Sequence, residues 1–166
     1  MGTPTDRAYQ VASDVLAEVV EALESVGNGA PDRRYVNDGQ LVAWDCEQVT
    51  VAVESIHGHT GNLFEASGAQ DCLVMRAAVV SVWIVRCSPV LDDSGTPPPV
   101  SEIEASARVA LSDPLVVVNA ITDAYRAGRI TGSRGLAFLD GTTAGPDGGF
   151  VGTVSRFRID LTTAVV

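Results

Sequence analysis

The stretch Cys72-Leu-Val-Met-Arg-Ala-Ala-Val-Val-Ser-Val-Trp-Ile-Val-Arg-Cys87 decides how this chain is read. As a strand it puts Leu73, Met75, Ala77, Val79, Trp83 and Val85 on one face. Val74, Ala78, Val80, Val82 and Ile84 fall on the other. A strand with one wet face alternates apolar and polar residues. Between Ala77 and Val85 that alternation is nearly absent, so both faces need cover. The chain's own helices supply it if this is an ordinary central strand. A neighbouring subunit supplies part of it if the protein assembles.

Upstream of this strand, residues from Thr5 to Val26 repeat apolar positions at helical spacing. Val11, Val15, Leu16, Val19, Val20 and Leu23 form one stripe, and Asp14, Glu18, Glu21 and Glu24 lie on the wet side. Thr5 or Asp6 is placed to cap this helix, and the Gly27-Asn28-Gly29 cluster to stop it. From Arg34 to His57 the pattern is that of strand, but its phase slips. Val42, Trp44 and Cys46 share one side, whereas Val49, Val51 and Val53 are spaced for the other. A bulge or two separate short strands would produce that slip. Gly58 to Gln70, with Gly58, Gly61 and Gly68, reads as a loop.

Downstream, Ser88 to Val100 contains Pro89, Gly95 and Pro97-Pro98-Pro99, which keeps it out of a central sheet. Ser101 and Glu104 match a capping box, and Asp113-Pro114 matches a cap followed by proline at the first helical position. Glu102–Ser112 and Pro114–Ala127 therefore read as two helices, or as one with a kink. The last third reads as a hairpin with arms Leu136–Leu139 and Phe150–Leu161, joined by a glycine-rich tip from Asp140 to Gly148. The resulting order is α-β-β-α-α-β-β. It predicts an α+β fold, one domain over residues 1–166, with a mainly antiparallel sheet and helices packed on one side.

Composition narrows the function. The 166 residues are 46% hydrophobic, with a mean hydropathy of +0.19, which supports a sizeable core rather than disorder. The longest charge-free apolar run, Ala77–Val85, is too short to span a bilayer as a helix, and the N-terminus lacks a secretory pattern. That points to a protein made in the cytoplasm, with no membrane partner. All 11 basic residues are arginine, against 21 Asp and Glu, for a formal charge of −10. Such a balance opposes wrapping a nucleic acid by phosphate neutralisation. It suits ordinary solubility, and it also suits a conduit through which DNA slides without sticking.

Catalytic signals are sparse. Three cysteines, Cys46, Cys72 and Cys87, read as reduced, buried thiols. His57-Gly58-His59 is the one cluster of metal-ligand type, but no Cys-x-x-Cys pair accompanies it and Gly58 is expected to break the strand. We expect no metal and no cofactor. A cysteine nucleophile paired with His57 is chemically conceivable, yet no nucleophile elbow surrounds any of the three. Arg156 and Arg158 share a strand face with Val154 and Asp160, and read as solvent-facing.

Trp44-Asp-Cys-Glu-Gln-Val-Thr-Val51, the apolar strand ending Trp83-Ile-Val-Arg-Cys87, the proline-rich loop and the final hairpin resemble the tail terminator proteins of long-tailed (siphovirus-type) actinobacteriophages. The similarity spans nearly the whole chain, and its motifs are structural rather than catalytic. It implies a virion protein, not an enzyme, that forms a homohexameric ring on the last ring of the tail tube. Such a ring stops tube polymerisation and joins tail to head in the neck of the bacteriophage. The implied partners are further copies of the chain, the major tail tube protein, the head-completion (stopper) protein, and double-stranded DNA passing through without specific binding. Val79, Val80, Val82, Trp83 and Ile84 become the expected subunit interface. Asp14, Glu18 and Glu21 become a candidate lumen wall, with an outer solvated face as the competing placement. A head-closure or other neck protein is the nearest alternative, and a small cytosolic Cys/His hydrolase the alternative from another class.

Overall fold

A computed structural model describes residues 4–27, 29–39, 45–59, 75–147 and 149–162. In chain order the elements are α1 (Pro4–Ser25), β1 (Arg33–Asn37), β2 (Gln48–His59), β3 (Met75–Cys87), α2 (Val100–Arg126), β4 (Ser133–Asp147) and β5 (Phe150–Leu161). The expectations for Trp44 and Cys72 lie outside the described residues.

The helical stripe of α1 is buried as its spacing requires: Ala8, Val11, Ala12, Val15, Val19 and Leu23 all sit in the core. Gly27, at φ 79°, ends the helix in the left-handed conformation that glycine adopts without steric cost. β1 lies before the phase slip, and β2 carries the second set, Val49, Val51 and Val53, with Asp45–Glu47 leading into it; Val42 and Trp44 of the first set lie outside the described residues.

β3 is the middle strand of a five-stranded sheet of order β1-β2-β3-β5-β4. It pairs antiparallel with β2 and with β5, and β5 pairs antiparallel with β4. β1 runs parallel to β2, from Arg33↔Gln48 to Asn37↔Ala52, so the sheet is mixed. The chain returns to the start of the sheet between these strands instead of reversing in a hairpin, and no short-range sequence signal marks that return. The element order is α-β-β-β-α-β-β rather than α-β-β-α-α-β-β.

Both helices pack on one face. Val49 and Val51 of β2, Ala78, Val80, Val82 and Ile84 of β3, and Phe157, Ile159 and Leu161 of β5 form one cluster with the α1 stripe and with Val117, Ile121 and Ala124 of α2. The helix-covered face of β3 is therefore buried by the chain itself. Removing a side chain such as Ile121, fully buried here, costs about 2–5 kcal/mol in comparable cores.

Three local expectations are corrected. Of the two readings of α2 the single helix holds, running through Pro114, but its N-cap is Pro99 with no side-chain cap bond, so the Ser101–Glu104 box is not used. The supposed tip Asp140–Gly148 is strand through Asp147: Thr142 pairs with Val154, Thr143 with Thr153 and Ala144 with Gly152. Gly58 does not break β2, because it pairs with Arg76 inside the ladder, so His57 and His59 belong to a strand rather than a loop.

Candidate functional site

The N-terminal half of α2 is mostly exposed. From Val100 to Val109 no side chain is buried, and Ala110 is the first residue of the helix in the core. Along this half, Val100, Ile103, Ala107, Leu111 and Leu115 follow one another at spacings of three or four, which makes a single ridge on the helix surface. The ridge faces solvent: Val100 is 70% exposed, Ile103 47%, Leu111 66% and Leu115 67%. Val90 and Leu91, in the loop that leads into the helix, are also exposed. Scattered exposed apolar residues are normal, whereas a contiguous line of them marks a contact surface.

Polar contacts tie α2 and the loop before it to the body. Asp113 is fully buried in α2 and accepts hydrogen bonds from Arg86 Nε (3.0 Å) and Nη2 (3.2 Å) on β3. Glu47 adds a second, more distant carboxylate at 3.8 Å from Arg86. The sequence reading made Asp113 a helix cap, but the side chain instead neutralises an arginine inside the core. At the start of the arm, the Asp92 carboxylate accepts from Ser94 Oγ (2.6 Å), Ser94 N (2.9 Å) and Thr96 N (2.8 Å). Those bonds, the one from the Ser94 hydroxyl foremost, hold its pKa below the usual 3.8. Ser88 N also donates to Gly149 O (2.7 Å), tying the loop to the β4–β5 turn.

The sheet face away from the helices is polar and buried. Gln48, Thr50, Ser81, Arg158 and Asp160 all lie in the interior there, beside Ala77 and Val85. Arg158 is thus not solvent-facing, contrary to expectation, and Asp160 on the same face is buried with it. Arg156, half-buried, reaches over β3 to Glu54 of β2 (3.0 Å) and back to Asp140 of β4 (3.2 Å), bracketing the sheet. The Glu54 contact raises the Arg156 pKa above its ordinary value, so the guanidinium stays charged at any working pH.

Cys46 and Cys87 are joined in a disulfide, with Cα atoms 5.3 Å apart, which corrects the reading of reduced, buried thiols. Cys87 is exposed and Cys46 half-buried. The bond lines a cleft of about 480 Å³ with Ala30, Asp32, Arg33, Asp45 and Glu47, and Arg33 pairs with Asp45 there. No base stands beside a free thiol in this cleft. Among the described residues, no three His, Cys, Asp or Glu side chains gather as a metal-binding set. No described helix is long and apolar enough to cross a membrane.

The structure divides the residues expected at a subunit interface. Val80, Val82 and Ile84 lie under the chain's own helices, whereas Val79 and Trp83 sit half-buried on the opposite face. Trp83 Nε1 donates to Ser81 Oγ (2.9 Å) on that face. The candidate lumen residues are divided too. Asp14 accepts from Thr131 N (2.7 Å) and Gln10 (2.7 Å), and Glu18 accepts from Arg129 (2.7 Å), so both brace the turn between α2 and β4. Glu21 is exposed. The α2 ridge escaped the sequence reading because its apolar residues satisfy helical spacing equally well as a buried stripe. The available signal was the excess of apolar positions in α2, which lie on more than one side of the helix.

A scan against protein-family models finds no family that matches this chain, and a search of curated proteins finds no significant match.

Proposed function

We propose that this chain is a structural assembly protein of a phage tail, a terminator that forms a hexameric ring on the end of the tail tube. In this role it halts tube growth and presents its outer surface to the head-completion protein, while double-stranded DNA passes through the lumen. The observation that carries the reading is the α2 arm, an apolar ridge that stays exposed along a helix with no buried side chain from Val100 to Val109. A monomeric protein gains nothing from such an arm, and an assembling one needs it. The resemblance of the Trp44–Val51 and Trp83–Cys87 segments to tail terminators narrows assembly to this place in the virion.

Two observations favour this reading over its alternatives. Neck proteins of the head-closure type are usually richer in strand and begin without a long amphipathic helix, whereas this chain opens with α1. A Cys/His hydrolase needs a free thiol, and the disulfide occupies Cys46 and Cys87. Cys72, the remaining candidate, lies outside the described residues.

The test is tail morphology without the protein. Under a nonsense mutation in its gene, electron microscopy of lysates should show overlong tubes unattached to filled heads. Tubes of normal length joined to heads would refute the role.

A further inference from the structure

We infer that the N-terminal arm of α2 docks on the far end of the same helix in a second copy of this chain. The contact is head-to-tail, with the acidic root of one arm against an arginine cluster of the next subunit. This deepens the ring reading above and rests on it for the identity of the partner as another copy.

Three observations lead there. The ridge Val100, Ile103, Leu111 and Leu115 is apolar and exposed, so it supplies contact area that the domain itself leaves uncovered. Glu102 and Glu104 flank it on either side, exposed in the first turns, with exposed Arg108 one turn beyond Glu104. The opposite end of the helix and the start of β4 carry Arg126, Arg129 and Arg134, all exposed, with Arg126 3.8 Å from the exposed Asp123 and Arg129 paired with Glu18. In a chain of net charge −10, that is a local concentration of its 11 cations.

Complementary patches at two ends of one element attract when copies follow one another head to tail. A two-fold pairing of arms would set acid on acid. Heterologous contacts of this kind close into rings when the rotation between subunits allows. Sheet extension is a poor alternative. β4, one edge of the sheet, is irregular between Ser133 and Gly135, between Phe138 and Asp140, and between Ala144 and Asp147. Bulged edges of that sort discourage strand pairing between molecules.

Charge-reversal rescue tests the assignment. Sedimentation of the purified full chain should show concentration-dependent self-association. Leu111→Glu with Ile103→Glu should abolish it, and a native thermal transition would show that the fold survives, since both side chains are exposed. Glu102→Arg with Glu104→Arg should weaken association, as should Arg126→Glu with Arg134→Glu. Arg129 is left intact because it braces the fold through Glu18. Mixing the two charge-reversed chains, or combining all four changes in one chain, should restore wild-type association. A wild-type chain that stays monomeric up to its solubility limit overturns the inference. So does association that ignores the ridge variants, or charge reversals that fail to rescue one another. If the ridge variants abolish association and reversals do not rescue, the ridge meets a different surface or partner, such as the tube protein, and the head-to-tail assignment is wrong. The tail-length phenotype is read separately, so failure here is distinguishable from failure of the terminator role.

Discussion

Arg86 and Asp113 place opposite charges in the interior, one on the central strand and one on the helix above it. A buried pair of this kind contributes little net stability, because desolvation of both ions offsets their attraction. Breaking it is another matter, since the survivor is left charged and unpaired. Asp113→Ala should therefore destabilise the chain by about 3–5 kcal/mol in urea unfolding. Joint replacement by Arg86→Met and Asp113→Leu should recover most of that loss. Equal destabilisation in the single and double variants would show that the pair is not what matters at this site. Neither partner announced its role in the sequence. Arg86 ends an apolar strand, where a solvated arginine is ordinary, and Asp113-Pro114 mimics a helix start. Arg158 misled for a related reason, since charged residues on alternate positions of a strand usually mark its wet face.

At the level of elements, the disulfide joins the approach to β2 with the end of β3 across a sequence separation of 41. Closing a loop of that length restricts the unfolded chain, which the loop-entropy model values at about 4 kcal/mol. Reductant should lower the denaturation midpoint accordingly. Alkylation of native, unreduced protein should modify at most one cysteine; modification of all three would contradict the bond. No spacing rule pairs Cys46 with Cys87, because the pairing follows from sheet order. The same limit hid the parallel β1–β2 pair, which depends on where a connection returns. Local periodicity was more legible. It found α1 with its buried stripe and marked β3 as covered on both faces. It left α2 as one helix or two, and packing of Val117 and Ile121 carries the single helix through a proline that would otherwise end it. It failed for the β4 hairpin, whose glycine-rich end pairs with β5 through bulges.

For the molecule as a whole, the fold divides its labour. Two helices and one sheet face make a self-sufficient core, and the leading half of α2 is left to engage something else. The acidic face of α1 is partly spent inside the subunit, since Asp14 and Glu18 brace the turn after α2 and Glu24 pairs with Arg34 at 2.9 Å. Glu21 remains as the exposed member of the candidate lumen set, so α1 alone makes a weak acidic wall. The most direct measurement of the central claim is an electron cryo-microscopy map of the head-proximal end of assembled tails. A terminator of this kind should appear there as a closed ring of this chain seated on the last tube ring, with each α2 arm lying against the adjacent copy. Absence of the chain from that junction, or its presence as isolated copies whose arms touch no neighbour, would contradict it.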